Sequence, residues 1–208
     1  MKISIVKVGG SLLTLPDLAM RLRKMFAALD TDRIFVVAGG GEAARLVRNW
    51  DLTHQLDEEA AHWLAIDSMS LTASLLANLL ADADLVIDHR SADNNVLKGG
   101  VSILVPRSIL DELHHDTRES LPVGWDCTSD SIAGWIATQW KVDSIVLAKS
   151  VDVPRESSTP SESEPTAVDA NFNSIIKGQL PVYWCNVRAN PESVVLWKSG
   201  SHETAADC

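Results

Sequence analysis

Residues 3–8 form a β-branched, largely apolar run that ends in Gly9-Gly10-Ser11. A run without strict alternation predicts a strand buried on both faces, as in a parallel sheet. Residues 16–29 then place Leu18, Leu22, Met25, Phe26 and Leu29 at helical spacing, with Pro16 suited to a first helical turn. The pattern repeats at once. Residues 33–38 are a second apolar run, Gly39-Gly40-Gly41 follows, and residues 42–50 predict a helix. Strand, glycines and helix, twice over, predict a parallel α/β sheet.

Further along, residues 57–81 predict a long helical stretch, one helix or two. Strands are expected at 83–88, 103–105 and 144–147, with late strands at 182–186 and 193–198. Helices are expected at 107–114, 129–139 and 172–177. His114-His115-Asp116 reads as a solvated loop, since adjacent side chains on one short element rarely converge on a metal. The Ser/Glu/Pro-rich stretch 156–165 predicts a mobile loop, and the tail from residue 200 a frayed end. The expected architecture is a three-layer α/β/α sandwich around a mostly parallel sheet. Its division would be an acceptor-binding lobe over about 1–120 and a nucleotide-binding lobe over about 121–208.

Composition narrows the partners. At 46% hydrophobic and 22% charged, 208 residues suffice for one large domain. A net charge of -10 argues against general nucleic-acid binding, which rewards clustered Lys and Arg. It leaves small anions open, because backbone N–H groups hold them locally. Cys127, Cys185 and Cys208 match no metal or redox spacing and predict reduced thiols. No apolar run approaches the roughly 20 residues of a membrane span, and no secretory leader is recognisable. The expectation is a cytoplasmic protein without a bound structural metal.

Three segments carry candidate chemistry. In Lys7-Val8-Gly9-Gly10-Ser11, glycines let backbone amides approach a phosphate, and Lys7 sets a charge near a strand's carboxyl end. A tight turn with a surface lysine stays open as the alternative. Gly39-Gly40-Gly41-Glu42 forms a second cradle at a helix N-terminus. Gly39, Gly41 and Ala44 also fit a dinucleotide fingerprint, with Glu58 and Glu59 about twenty residues on. Thr128-Ser129-Asp130-Ser131 opens a helix; its hydroxyls suit an N-cap, its acid an ion partner in phosphoryl transfer.

These three blocks, in this order and followed by Leu147-Ala148-Lys149-Ser150-Val151-Asp152, resemble the amino acid kinase family. The likeness spans nearly the whole chain. Gly124-Trp125, Leu104-Val105-Pro106, Val168-Asp169 with Phe172, and Asn186 ahead of Pro191 extend it toward the family's small kinases of an aminomethylfuran-methyl phosphate. The resemblance implies ATP and Mg²⁺ as cofactors, a small anionic acceptor and a homodimer. It implies that Lys7 and Asp130 are catalytic, and Lys149, close to the same strand ends, is a further catalytic candidate. Gly9, Gly10, Ser11, Ser129, Ser150, Val151 and Asp152 would bind phosphate or nucleotide. Gly39, Gly40, Gly41, Glu42, Trp125 and Asp169 would bind the acceptor, although Asp169 could equally cap the helix that follows it.

Lys149-Ser150 stands where the family commonly has Thr-Asp, and Pro154 interrupts the usual continuation. Lys149 is then either a second phosphate-facing cation or a neutral substitution. The altered loop also keeps a non-catalytic nucleotide- or oxyanion-binding protein open as the alternative. Lys177 does not match the family's later lysine motif cleanly.

Overall fold

A computed structural model describes residues 1–94, 100–116, 121–154 and 168–200. The Ser/Glu/Pro-rich stretch and the tail beyond residue 200 lie outside the described residues.

Five strands run parallel at the centre: β1 (Ile3–Val8), β2 (Arg33–Ala38), β4 (Val101–Leu104), β5 (Ser144–Lys149) and β6 (Val182–Asn186). β3 (Asp84–Val86) adds a parallel edge, and β7 (Val194–Lys198) pairs antiparallel with β6. The order is β3-β4-β2-β1-β5-β6-β7. All six residues of β2 and five of the six in β1 are buried. Largely apolar runs are what a sheet covered on both faces requires.

Two core clusters cover the two faces. Val6, Val8, Ile34 and Val36 meet Leu18, Leu22 and Met25 of α1 (Leu18–Ala27) on one side. Ile5, Phe35, Val37, Ile145 and Leu147 meet Ile132 and Ile136 of α6 (Ser129–Gln139) on the other. Each such fully buried aliphatic side chain contributes about 1.5–3 kcal/mol. This is the expected three-layer arrangement.

Three expectations change in detail. The stretch after residue 57 is one helix, α3 (Glu58–Leu79), following α2 (Gly41–His54). It contains neither glycine nor proline, so no helix breaker divides it. A short helix α4 (His89–Asn94) appears where none was expected; the Asp88 carboxylate accepts the Ser91 amide and starts it. The helix expected over 107–114 is α5 (Pro106–Asp116), which continues through the two residues read as loop, and the His114 ring lies edge-on to Trp63 and Trp135.

Candidate active site

Strands β1 and β5 are neighbours, with Val8 opposite Ala148. Their carboxyl ends therefore deliver Lys7 and Lys149 to one level of the sheet. Asp130, in the first turn of α6, lies between them. The Lys149 ammonium donates to Asp130 Oδ2 at 2.6 Å. The Lys7 ammonium sits 2.9 Å from Oδ1, an ion pair rather than an aligned hydrogen bond. Only 6% of the Lys7 and Asp130 side chains and 13% of Lys149 remain exposed.

Two ammonium groups around one carboxylate leave a local surplus of positive charge. Burial alone would raise the Asp130 pKa, but the two cations together hold it below the usual carboxylate range. Burial lowers Lys149 to about 8, and repulsion from Lys7 adds to this while Asp130 opposes it. An anion entering between the lysines would relieve that repulsion.

The two glycine turns meet beside this triad. Gly9 donates its amide to Ala148 O at 2.8 Å, and Gly10–Leu12 coils into a 3-10 turn. Gly39 donates to Val8 O at 2.8 Å. A Cβ on Gly10 would sit 2.4 Å from the Gly41 amide nitrogen, so only hydrogen fits there. Gly41 itself has φ +57, the left-handed region that glycine enters without strain. No side chain caps the N-terminus of α2, so its first-turn amides face the turn junction unclaimed by a cap.

A cleft of about 370 Å³ opens on this junction. Gly10, Gly39, Gly40 and Gly41 form one end, and Ser129 and Thr128 border it. Trp125, Met69 and Ile66 supply apolar wall. Arg45 and Arg48, which sequence reading passed over, also line it. Their signal was present: they fall four and seven residues after Gly41, on one face of α2. The Arg48 guanidinium lies 4.3 Å from the Trp125 ring centre, and Trp125 Nε1 donates to Asp51 at 2.7 Å. His62 is the other unexpected wall residue. Its Nδ1 accepts the Gly124 amide at 3.3 Å, and burial pushes its pKa down. Cys127 lines the cleft as an inert thiol, raised to about 12 by burial and by Asp169.

Ser11 and Ser150 join the first turn to the loop after β5, their hydroxyls 2.9 Å apart. Val151 and Asp152 sit farther along that loop, away from the cleft. Trp184 Nε1 donates to Val151 O at 2.9 Å, and Asn186 donates to Asp152 at 2.7 Å.

Two expected acceptor residues are placed elsewhere. Glu42 is exposed and pairs with Arg45 at 3.1 Å rather than lining the cleft. Asp169 is absent from the wall as well. Its oxygens accept the amides of Thr128, Ser131 and Phe172 and both hydroxyls of Thr128 and Ser131. It therefore closes the N-terminus of α6 and fixes the helix that carries Asp130. Lys177 ends α7 (Phe172–Ile176), ahead of the residues that lead into the start of β6, so it lies toward the amino ends of the strands, away from the site. Glu58 and Glu59 open α3 instead of ending a second strand, which removes the βαβ context of the dinucleotide fingerprint.

Backbone amides from two turns, two lysines and an organising carboxylate at the carboxyl ends of parallel strands define a phosphotransferase-type α/β protein. The sequence pattern of the amino acid kinase family matches residues 2–156, and the chain belongs to that family. It is 31% identical over 150 residues to the (5-(aminomethyl)furan-3-yl)methyl phosphate kinase of Methanocaldococcus jannaschii. That match covers 71% of this chain and 66% of the relative, so the chain spans about two-thirds of that relative's length. Uridylate kinase from Archaeoglobus fulgidus shares the fold with a TM-score of 0.60, at 18% identity over 92% of each chain. UMP kinase from Bacillus anthracis gives 0.63 at 13% identity, covering 94% of this chain and 98% of its own. UMP kinase from Ureaplasma parvum gives 0.66 at 14% identity, covering 91% and 92%. At these identities the structural likeness establishes the fold alone. No helix among the described residues is long and apolar enough to cross a membrane.

Proposed function

We propose that this protein transfers the γ-phosphoryl group of ATP to a small acceptor bearing a phosphate, with an aminomethylfuran-methyl phosphate as the leading candidate. The observation that carries the reading is the buried Lys7–Asp130–Lys149 triad set against two touching glycine turns. The substrate in the name of the Methanocaldococcus jannaschii relative supplies the candidate acceptor.

An acceptor phosphate in the 370 Å³ cleft would meet Arg45 and the first-turn amides of α2, with its organic part against Trp125 and Met69. Its phosphate oxygen is already ionised near neutral pH, so no general base is required. That oxygen forms the new bond to the γ-phosphorus as the bond to the β–γ bridging oxygen breaks, releasing ADP. Lys7 and Lys149 neutralise charge on the transferring group, and Asp130 keeps both ammonium groups aimed at it. Mg²⁺ would arrive with the donor, held by its phosphate oxygens and offsetting their charge.

The cleft draws on both proposed lobes, with Gly10 to Met69 on one side and Gly124 to Ile132 on the other. Transfer at their junction is part of this reading, as are a cytoplasmic setting and a homodimer; light scattering in solution tests the dimer. The deciding experiment measures ADP release from Mg-ATP with (5-(aminomethyl)furan-3-yl)methyl phosphate, UMP and small carboxylates. ADP release dependent on the furan phosphate is expected. Tight ATP binding with no release for any acceptor would replace the kinase with a binding protein.

A further inference from the structure

Lys7 and Lys149 are both engaged by one carboxylate. The charge of a triphosphate tail on the donor side still has to be met. The segment after β6 carries a cation suited to it.

β6 ends at Asn186, which pairs across the sheet with Lys149. The chain then turns through Val187, Arg188 and Ala189, and this turn is braced from three directions. Asn186 Oδ1 accepts the amides of Arg188 and Ala189, each at 3.1 Å. The Val187 amide donates to Lys149 O at 2.9 Å. Arg21 of α1 donates to the carbonyls of Val187 and Arg188 at 3.3 and 3.0 Å. Bracing of this kind fixes where the Arg188 side chain leaves the backbone.

It leaves toward the first glycine turn. The Arg188 guanidinium donates to Ser11 O at 3.4 Å, a long contact that a stronger acceptor would replace. Ser11 and Ser150 present their paired hydroxyls at the same place. Arg21, Arg23, Arg45 and Arg107 each pair with a carboxylate, whereas among the described residues no carboxylate pairs with Arg188. On the far side of the turn, a pocket of about 230 Å³ lies between the loops after β5 and β6. Asp152, Val153, Asn186 and Ala189 are among its walls. Arg188 thus belongs to the turn that walls this pocket while its head reaches the turn beside the lysine pair.

We propose that Arg188 grips the phosphate tail of the donor nucleotide, between a nucleoside in that pocket and the γ-phosphoryl group at Lys7 and Lys149. The inference rests on the kinase reading above. A planar guanidinium offers paired donors to two phosphate oxygens at once, which an ammonium does not.

The test compares the wild-type chain with Arg188→Ala and Arg188→Lys. Calorimetry gives the Kd for Mg-ATP, and initial rates give both KM values. Arg188 is exposed, so the unliganded thermal midpoint should stay unchanged. In Arg188→Ala the Kd and KM for Mg-ATP should rise about 10- to 100-fold. The KM for the acceptor should stay put, and Arg188→Lys should recover part of the loss. A structural role would instead move the midpoint or both KM values. If Arg188→Ala lowers the midpoint, Arg188→Gln decides by the same Kd comparison. A wild-type chain that binds no Mg-ATP overturns the kinase reading and this inference together. A wild-type chain that turns ATP over while Arg188→Ala binds it equally well overturns this inference alone.

Discussion

Asp130 is a buried carboxylate that accepts two ammonium partners, and its two oxygens divide between them. Removing one partner from such a group costs more than the pair contributes, because a charge is left uncompensated. The arrangement is therefore better explained by what it does to an incoming polyanion than by stability. Lys7→Ala should lower kcat by about 10²- to 10³-fold, as loss of one preorganised charge-stabilising group does. Steady-state ADP release measures it, and unchanged turnover would take Lys7 out of the reaction.

Lys149 adds a pH dependence. Its folded pKa of about 8 lies below its ordinary value of 10.5. Between those values the unfolded chain binds the extra proton, so stability gains from this group as pH rises through that window. Activity should move the other way. In kcat/KM, which reports the free enzyme, an alkaline decline should begin near pH 8 as Lys149 loses its charge. In kcat the decline should shift upward, because bound phosphate holds the proton. Lys149→Arg should abolish the decline near pH 8 in kcat/KM; a decline that stays in place would assign it to another group.

At the scale of elements, the two glycine turns act as one unit. Gly10 and Gly41 are in direct backbone contact, and the N-terminus of α2 leaves from that contact. Gly10→Ala should force the turns apart, since the obstructing atoms are backbone and cannot rotate away. Turnover should fall by at least about tenfold even where the protein still folds, because the reacting groups would be displaced by a fraction of an ångström or more. Circular dichroism alongside initial rates separates the two effects, and a folded variant of wild-type activity would deny the junction its role.

Both glycine turns were legible in the sequence, because glycine after a buried strand marks a sharp bend. The strands beside them were legible for a similar reason: apolar runs are read directly from β1 and β2. Helix α4 was not legible. Its His-Arg-Ser-Ala-Asp-Asn sequence has no apolar period, and capping by Asp88 holds it. Asp169 was legible as a cap of the helix that follows it, but nothing local reveals that its oxygens also close helix α6.

Over the whole molecule, the site depends on one long-range insertion. β5 joins the sheet beside β1 although more than 130 residues separate Val8 from Ala148, bringing Lys149 to Lys7. Because Lys7 and Lys149 come from distant parts of the chain, a donor bound between them should stabilise the protein as a unit. Mg-ATP at 100 times its Kd should add about 2.7 kcal/mol and raise the thermal midpoint by several degrees. A midpoint indifferent to Mg-ATP across that range would count against nucleotide binding.

The chain's own order of residues determined the elements: apolar runs gave strands, glycines gave bends, and Lys7, Asp130 and the two turns were nameable as candidates. Those are local consequences of backbone sterics and of burying apolar side chains. Tertiary structure alone decided that Lys149 joins Lys7 on Asp130, that Arg45 and Arg48 face the cleft, and that Glu42 and Asp169 do not. Such facts depend on which strands become neighbours and which way each helix is turned. They are set by packing across the whole sheet, which no short stretch of sequence encodes by itself.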